Sequence, residues 1–473
     1  MRIWIDAEDL FHYAAHASRP SGIQRLAFEL QRALVGLAPQ DVRFLRHNTA
    51  GTGYAQVEFV EIEALFKNLS KPDDLEALPP QQKERHLGRI RLLIRKLINT
   101  LPTAAAEALR RCNSRRRAAL CEAVAAIREL AVALRAIAYA SIKQKNKSRH
   151  EPSSAKVQYN FEIQAVEGDW LLCLGSPWGL KDYADLVQTT CARYNLRFAL
   201  LIYDIIPLRR PEWCDVNLTK AFRSWFHSVV PLADRIITIS RTTARDAEAY
   251  AAETSMPIKG RIVPIPVGTG FGQPPAPLRT KRLPPAGSFV LFVSTIEARK
   301  NHILAFRIWR ELLSILPREQ LPTLVFAGRV GWLVTDLMQQ LENANWLDGK
   351  VRLIESPSDG ELAALYESCQ FTLFPSFYEG WGLPVTESLA HGVPCLASNS
   401  TSLPEAGGAL ARYFDPDDLH DALRTVREVL ENKTELAAWR AEIRKHFRPV
   451  NWRESAAATL RLLGHSYCCN RPA

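Results

Sequence analysis

The sequence predicts an α/β protein that contains two parallel-sheet domains. Short apolar runs of strand length alternate with stretches of helical periodicity, which is typical of a parallel sheet covered by helices. The chain has 473 residues, and a single hydrophobic core stops growing well below that length, so two domains are expected. A stretch rich in proline and glycine, residues 272–287, is the best candidate for the linker between them.

The first domain is predicted to cover residues 1–275. Its first strand leads through a glycine-containing turn into a helix whose apolar residues recur at helical spacing. Strands are expected at 2–6, 42–45, 57–62, 170–174, 198–206, 235–239 and 261–267. From about residue 65 to residue 156 the pattern changes to long helical repeats rich in alanine, leucine and arginine, which predicts a helical insertion.

The second domain is predicted to cover residues 276–452 and repeats the alternation of strands and helices. Its strands are expected at 289–294, 323–327, 351–353, 371–374, 394–397 and 410–414. Residues 453–473 are predicted to form a last helix and a tail that cross back to the first domain. Ligands of open α/β sheets bind at the carboxyl ends of the strands, so functional residues are expected on loops that face the cleft between the domains.

The net charge of +10 comes from one segment of the chain. Residues 81–150 hold 17 Lys and Arg residues against 4 Asp and Glu residues, and the remainder is slightly acidic. The basic segment at 83–149 is predicted to dock on an anionic membrane surface, the alternative being a soluble helical hairpin with a solvated basic face. Aromatic residues are nearly absent there, so no nucleic-acid partner is expected.

The chain is expected in the cytoplasm, docked peripherally on the inner face of the cytoplasmic membrane if the basic segment binds lipid. Acidic residues follow the first strand at once, without the apolar region of a signal peptide. No uncharged apolar run approaches the roughly 18 residues that span a bilayer. The nine cysteines show no paired spacing, which is typical of free thiols in a reducing compartment.

The segment at 371–408 carries the sharpest functional signal. After an apolar strand, a loop holds Glu379, Gly380 and Gly382, and a helix that carries Glu387 follows. Glycine lets the backbone approach a ligand closely, and the start of a helix offers unpaired N–H groups to an anion. One carboxylate is predicted to bind a sugar and the other a ribose, because carboxylate oxygens accept hydrogen bonds from hydroxyl groups. The alternative is a tight turn followed by a solvated glutamate.

This segment resembles the donor-binding motif of retaining glycosyltransferase family 4, also called glycosyltransferase group 1. The family signature is two glutamates with seven residues between them, here Glu379 and Glu387. The resemblance continues through Leu389-Ala-His-Gly-Val-Pro394, Ala397-Ser398, Ser402-Leu-Pro-Glu405, Gly407-Gly408 and Phe414-Asp-Pro416. It implies the GT-B fold, in which two Rossmann-like domains face each other across a cleft. It also implies that Gly380, Trp381, Gly382 and Leu383 belong to the donor-binding loop.

Arg299 and Lys300 follow the first strand of the second domain. An arginine fork beside a lysine point charge suits a diphosphate, whereas a solvated basic pair is the alternative. The resemblance implies that Lys300 holds the donor diphosphate. Many family members also carry an arginine six residues earlier, where this chain has Ser294, so Arg299 is expected to take part of that role.

The resemblance assigns further residues near the donor. Gly328 and Arg329 end the next strand, in a loop that lies near the nucleotide in the family, although such a glycine also serves plain turns. In the first domain, Gly22 and Arg25 resemble the glycine loop that faces the diphosphate and the acceptor.

Tyr203 and Asp204 resemble the His-Asp element of the family, in which the histidine contacts the transferred sugar. Together with Glu379 they are the catalytic candidates. A tyrosine at this position can donate a hydrogen bond but is no base near neutral pH. The alternative for Asp204 is a turn cap.

The resemblance implies a retaining mechanism on one face of the sugar. The diphosphate begins to leave, an oxocarbenium-like sugar forms, and the acceptor hydroxyl attacks from the same side and gives its proton to the leaving phosphate. No metal and no other cofactor is expected, because positive side chains and the helix dipole stabilise the leaving group. The one acidic pair considered for a metal, Asp417 and Asp418, is typical of a helix start.

The predicted function is hexosyl transfer from a nucleotide sugar to a glycan or lipid-linked acceptor in bacterial surface polysaccharide or lipopolysaccharide synthesis. The sequence around 297–301 resembles bacterial mannosyl- and rhamnosyl-type transferases, which makes GDP-mannose the first donor to consider, before UDP-sugars. Three alternatives stay open: a sugar phosphorylase, a nucleotide-sugar epimerase, and a non-catalytic subunit of a polysaccharide assembly complex that keeps the fold.

Overall fold

Two sheets, one in each half of the chain, organise the protein. The structure is a computed structural model, and it describes residues 1–17, 19–48, 51–69, 161–271 and 277–465. The predicted helical insertion and the basic segment at 83–149 lie outside the described residues, apart from the first residues of the insertion.

The first sheet has seven strands in the order β3-β2-β1-β4-β5-β6-β7. They are β1 (Ile3–Asp6), β2 (Val42–His47), β3 (Tyr54–Val57), β4 (Trp170–Cys173), β5 (Arg197–Ile202), β6 (Arg235–Thr238) and β7 (Arg261–Pro264). All neighbours pair in parallel except β2 and β3. Ile3 and Ile5 face one hydrophobic core and Trp4 faces another, so β1 is buried on both sides, as a parallel strand covered by helices must be.

Helices surround this sheet. Those of the first half are Glu8–Ala14, Gly22–Leu37, Phe59–Leu69, Phe161–Gln164, Tyr183–Tyr194, Ile206–Arg209, Val216–Val229 and Arg241–Glu253. The sequence reading of 57–62 as a strand is wrong, because β3 ends at Val57 and a helix begins at Phe59. Phe59 and Phe66 are seven residues apart and both stack on Phe28, which is helical rather than strand spacing.

The second sheet has six parallel strands in the order β10-β9-β8-β11-β12-β13. They are β8 (Phe289–Val293), β9 (Thr323–Ala327), β10 (Val351–Ile354), β11 (Thr372–Phe374), β12 (Cys395–Ser398) and β13 (Arg412–Phe414). Counted within the domain this is 3-2-1-4-5-6, the order of a Rossmann domain. The order reverses between β8 and β11, and loops that follow the strands at such a point leave a crevice for a ligand.

The helices of the second half lie between these strands, as expected, and after β13. They are His302–Ile315, Thr335–Asn343, Asp359–Ser368, Leu383–Ala390, Leu403–Gly407, Leu419–Glu431, Lys433–His446 and Trp452–Leu462. The acidic pair predicted to mark a helix start, Asp417 and Asp418, directly precedes helix Leu419–Glu431, and the Asp418 side chain caps that helix. Helix Lys433–His446 is not among the elements that the sequence predicts.

The last helix, Trp452–Leu462, lies against the first domain. It packs on helix Gly22–Leu37, and the indole N–H of Trp170 donates to the carbonyl of Leu463 over 2.8 Å. Where the chain returns, the backbone N–H of Thr269 donates to the carbonyl of Val450 over 2.8 Å. The outgoing and returning segments therefore run side by side. The two domains together have the GT-B architecture, with two parallel-sheet α/β domains in one chain.

Candidate functional site

The carboxylate of Glu379 lies at the switch point of the second sheet. It stands in the loop between β11 and helix Leu383–Ala390, and it pairs with Arg299 over 2.8 Å and with Lys300 over 2.6 Å. Arg299 and Lys300 follow β8, which lies next to β11 in the middle of the sheet. The structure therefore brings together three of the sequence-predicted site residues, which the chain separates by about 80 positions.

Arg299 is held on three sides. Its Nη2 donates to Glu297 over 2.6 Å, and its Nη1 donates to the carbonyl of Tyr378 over 2.6 Å as well as to Glu379. The backbone N–H of Phe377 donates to the carbonyl of Arg299 over 3.0 Å. Side chain and backbone thus fasten the β8 turn to the Glu379 loop.

Lys300 is less restrained than Arg299. Its Nζ has one hydrogen-bond partner among the described residues, Glu379, and it lies 5.4 Å from the ring centre of Phe374. The next residue, Asn301, is almost fully buried, adopts a φ of 59°, and donates from its side chain to the carbonyl of Pro416 over 3.1 Å. The turn that carries Lys300 is therefore anchored at its far end.

The charges of the cluster set the protonation state of Glu379. Burial alone would raise the pKa of this carboxyl, but Arg299 and Lys300 outweigh burial and lower the pKa to about 2. Burial lowers the pKa of Lys300, and so does the neighbouring Arg299 charge, while Glu379 acts in the opposite direction. Glu379 is consequently ionised at neutral pH and has no proton to give.

The backbone of the Glu379 loop is supported by the segment after β12. The N–H of Glu379 donates to the hydroxyl oxygen of Thr401 over 3.0 Å. The Ser402 hydroxyl, which is fully buried, lies 2.8 Å from the carbonyl oxygen of Glu379 and 2.9 Å from that of Trp381. Gly382 has a φ of 114°, and a Cβ there would collide with Leu403, so the turn into the helix requires glycine.

The first domain reaches the same loop through Tyr203 and Asp204. A Cβ on Gly380 would collide with the Tyr203 carbonyl oxygen and would lie 3.0 Å from the Asp204 Cβ. The Thr243 hydroxyl lies 3.2 Å from the Tyr203 carbonyl and 3.4 Å from that of Gly380. Glycine at position 380 therefore permits the two domains to meet beside Glu379.

The catalytic role expected for the Tyr203 side chain does not agree with its placement. Its hydroxyl donates to the carbonyl of Leu174 over 2.6 Å inside the first domain, and burial raises its pKa well above the usual value. Asp204 accepts from the backbone N–H of Ile206 over 3.0 Å, which is the turn-capping geometry. Burial raises the pKa of Asp204, and the nearby Arg299 partly offsets this.

Glu387 lies on helix Leu383–Ala390, away from the cations that hold Glu379. Tyr366 donates its hydroxyl hydrogen to Glu387 over 2.9 Å. Burial raises the pKa of this carboxyl, against the lowering effect of the Tyr366 bond and of Arg25. One of its two oxygens has no partner among the hydrogen bonds of the described residues, so it can accept from a hydroxyl group.

The glycine loop of the first domain contacts the start of the same helix. A Cβ on Gly22 would lie 3.7 Å from Leu383. Arg25 was expected to face a diphosphate, but its two Nη atoms pair with the carboxylate of Asp359 over 3.0 and 3.2 Å. In this structure Arg25 is an interdomain ion pair rather than a free cation.

Gly328 and Arg329 end β9 beside the turn that carries Arg299. A Cβ on Gly328 would collide with the carbonyl oxygen of Ser294, so this glycine is required by the approach of two strand ends. The carbonyl of Arg329 accepts from the N–H of Ile296 over 2.9 Å, and the Arg329 side chain is exposed.

Several residues of this region received no role from the sequence. Glu297 accepts a hydrogen bond from Arg299, and the only indication of this contact in the sequence is that Glu297 precedes Arg299 by two residues. Thr401 and Ser402 act through the loop backbone, which no side-chain pattern indicates. Asp9 lies after β1 and accepts from the backbone N–H of Ser176 over 2.9 Å. Burial raises the pKa of Asp9 to about 6, although the Ser176 bond opposes this.

The described ranges contain neither a membrane-spanning helix nor a cluster of metal-ligating side chains. None of the helices there combines the length and the apolar character that a membrane crossing requires. No group of three or more His, Cys, Asp and Glu side chains in those ranges is arranged to hold a metal ion.

Comparison with known proteins adds a family to this geometry. Residues 279–446 match the family model of glycosyl transferases group 1. The chain is 28% identical over 293 residues to a serotype-specific mannosyltransferase WbdA of Escherichia coli. The aligned region covers 59% of this chain and 35% of that protein. It is also 28% identical over 294 residues to the O-antigen chain mannosyltransferase B of Escherichia coli, covering 59% of this chain and 70% of that protein.

The chain spans about a third of the length of the WbdA proteins it matches. Among solved structures, the crystal structure of TarM aligns with a TM-score of 0.47 at 13% identity, covering 64% of this chain and 56% of that one. The matched family domain includes the Arg299–Lys300 turn and both glutamates of the site. Residues 279–446 are thus a group 1 glycosyltransferase domain.

Proposed function

We propose that this protein is a retaining mannosyltransferase that uses a nucleoside-diphosphate mannose, GDP-mannose in the first instance, in O-antigen synthesis. The observation that carries the proposal is the Glu379–Lys300–Arg299 cluster at the switch point of a Rossmann-ordered sheet. Mannosyl transfer is supported by the two Escherichia coli mannosyltransferases to which the chain is similar. The acceptor in this proposal is a glycan or a lipid-linked glycan.

Lys300 is proposed to hold the donor diphosphate. It has one partner among the described residues and two free donor positions, whereas Arg299 is bound to three acceptors. When the diphosphate reaches Lys300, the Glu379 carboxylate loses part of its ion pairing and is free to accept hydrogen bonds from sugar hydroxyls. Glu387, which keeps one oxygen unpaired among the described hydrogen bonds, then accepts from the ribose.

The proposed reaction breaks the bond between the anomeric carbon and the diphosphate oxygen and forms a bond from that carbon to the acceptor oxygen. The acceptor proton goes to the leaving phosphate oxygen. This route requires no side-chain base, which agrees with an ionised Glu379 held between two cations and with a Tyr203 hydroxyl bonded inside the first domain. Charge on the leaving phosphate is stabilised by Lys300 through direct contact and by the positive charge of Arg299 beside it.

Calorimetric titration with GDP, UDP and TDP tests the donor part of the proposal. We expect the tightest binding with GDP, and transfer from GDP-mannose with the α-configuration retained at the anomeric carbon, observed by NMR. If UDP binds most tightly, the proposed donor becomes a UDP-sugar, and the proposed class of reaction is unchanged. No binding of any of the three nucleotides, or cleavage of a glycan by inorganic phosphate alone, would overturn the proposal.

A peripheral membrane location is part of the proposal and rests on sequence alone. The basic segment at 83–149 would bind anionic lipid, and a lipid-linked acceptor is found at such a surface. A variant lacking residues 80–150 is compared with the full chain in co-sedimentation with vesicles of phosphatidylglycerol and phosphatidylethanolamine. Loss of binding is the expected result, and equal binding of both proteins would reject the membrane location.

A further inference from the structure

Glu297 occupies an unusual position for a carboxylate, almost fully buried and directed at one side chain. Its side chain is 4% exposed, and its Oε1 accepts from Arg299 Nη2 over 2.6 Å. Burying a carboxylate is costly unless a cation and hydrogen bonds compensate it, so Arg299 is the reason that the charge is tolerated here. Glu297 contributes no other hydrogen bond among the described side-chain contacts.

Arg299 in turn joins two parts of the loop that carries Glu379. Its Nη1 contacts the carbonyl of Tyr378 and the Oε2 of Glu379, over 2.6 and 2.8 Å. A planar guanidinium that is fixed at one end by a carboxylate has little rotational freedom at the other. The position of the Glu379 carboxylate is therefore linked to Glu297 through a single rigid group.

We propose that Glu297 is a positioning residue for glycosyl transfer: it fixes the Arg299 guanidinium, which holds the Glu379 loop in its working geometry, and it leaves Lys300 to bind the diphosphate. This inference rests on the proposed function and assigns separate roles to Arg299 and Lys300 within it. Glu297 touches neither donor nor acceptor. Its negative charge also offsets the charge of Arg299, which keeps the cluster from binding the diphosphate product more strongly.

Two variants of Glu297 separate positioning from plain stability. Glu297→Ala removes the contact, and Glu297→Gln keeps an acceptor oxygen without the charge. We expect kcat with GDP-mannose to fall by about 100-fold in Glu297→Ala, the size of effect that a small displacement of a reacting group produces. Glu297→Gln is expected to recover about tenfold of that loss, because it restores one hydrogen bond to a charged donor.

The Kd for GDP distinguishes a positioning role from a structural one. If Glu297 only stabilised the fold of the site, its loss would weaken GDP binding together with turnover. Removal of a negative charge beside Arg299 makes the cluster more positive, so the Kd for GDP is expected to stay within about threefold of the wild-type value or to fall. Glu311→Gln is the matched control, since Glu311 is a surface carboxylate of the same domain whose one ion-pair partner among the described residues is Arg310. Its kcat and Kd should equal those of the wild type.

A double-mutant cycle tests that Glu297 acts through Arg299. In the Arg299→Ala background, Glu297→Ala should cost no further activity, because the group through which it acts is gone. Additive losses, an unchanged kcat in Glu297→Ala, or a parallel loss of GDP binding and turnover would each overturn the inference. If Glu297→Ala does not fold in a thermal melt, the same comparison is made with Glu297→Gln. An inactive wild type that binds no nucleotide would instead reject the proposed function.

Discussion

The carboxylate of Glu405 in the second domain accepts hydrogen bonds from both the backbone N–H and the hydroxyl group of Thr242 in the first, over 2.8 and 2.7 Å. The backbone N–H of Arg241 donates to its other oxygen over 2.9 Å. These N–H groups open helix Arg241–Glu253, where no intrahelical acceptor is available and the helix dipole favours a negative charge. A helix end of one domain is thus satisfied by a side chain of the other.

Glu405→Gln should weaken the connection between the domains. The amide keeps one acceptor oxygen but loses the charge, so we expect a loss of about 1 to 2 kcal/mol from the domain contact. Small-angle scattering should then give a larger radius of gyration for the ligand-free variant, with each domain still folded. Glu431→Gln is the control, because Glu431 is a surface carboxylate that pairs with Arg427 and with no other cation of the described ranges. Identical scattering of wild type and Glu405→Gln would contradict the expectation.

Glu379→Gln should bind nucleotide and lose most of its turnover. The neutral glutamine cannot compensate the positive charges of Lys300 and Arg299, so these charges attract the diphosphate more strongly. At the same time the sugar loses a charged acceptor for its hydroxyl hydrogens. We expect kcat to fall by about 100-fold or more with GDP binding equal or tighter. Single-turnover kinetics and calorimetry on the same preparation check both parts. Undiminished turnover would remove Glu379 from the reaction.

Asp9 should make stability depend on pH. Its pKa is raised from 3.8 to about 6 in the folded protein, so between these values the folded state binds more protons than the unfolded state. This contribution to stability therefore falls as pH rises through that window and stays low above it. Full ionisation would cost about 3 kcal/mol from the size of the shift.

Asp9→Asn should remove that penalty. The variant is expected to match the wild type near pH 4 and to become more stable than it by up to about 3 kcal/mol above pH 6. Urea unfolding across this pH range measures the difference. A difference that does not change with pH would show that Asp9 keeps an ordinary pKa.

Gly380→Ala should impair activity more than stability. The added Cβ would collide with the carbonyl oxygen of Tyr203, so the first domain must move away from the Glu379 loop. We expect kcat/KM to fall by about 100-fold, since a displacement of about 1 Å can cost that much. Gly36→Ala is the control: it adds the same methyl group in a helix, where the new Cβ meets no described residue within 4 Å beyond its own helical turn, and it should not reduce activity. Equal activity of both variants would mean that the domains do not meet closely here.

The elements of the site could be predicted from the sequence, but their partners could not. Apolar runs at strand length predicted the strands that place Lys300 and Glu379 side by side, since strand ends meet at one edge of a sheet. Arg25 and Tyr203 were matched to the family by position alone. Their contacts with Asp359 and Leu174 depend on residues far away in the chain, which local pattern does not encode. The strand expected at 57–62 failed for a similar reason, because only packing on Phe28 distinguishes the helix.

The side-by-side passage of the chain at Thr269 and Val450 has a mechanical consequence. Besides the Thr269–Val450 bond, the indole of Trp452 donates to the carbonyl of Gly270 over 2.6 Å, and a Cβ on Gly268 would meet the ring of Trp452. Two adjoining covalent connections resist twisting and sliding far more than one does, and they leave bending about one axis as the soft motion. We therefore expect the two domains to move relative to each other mainly by rotation about this pair of connections.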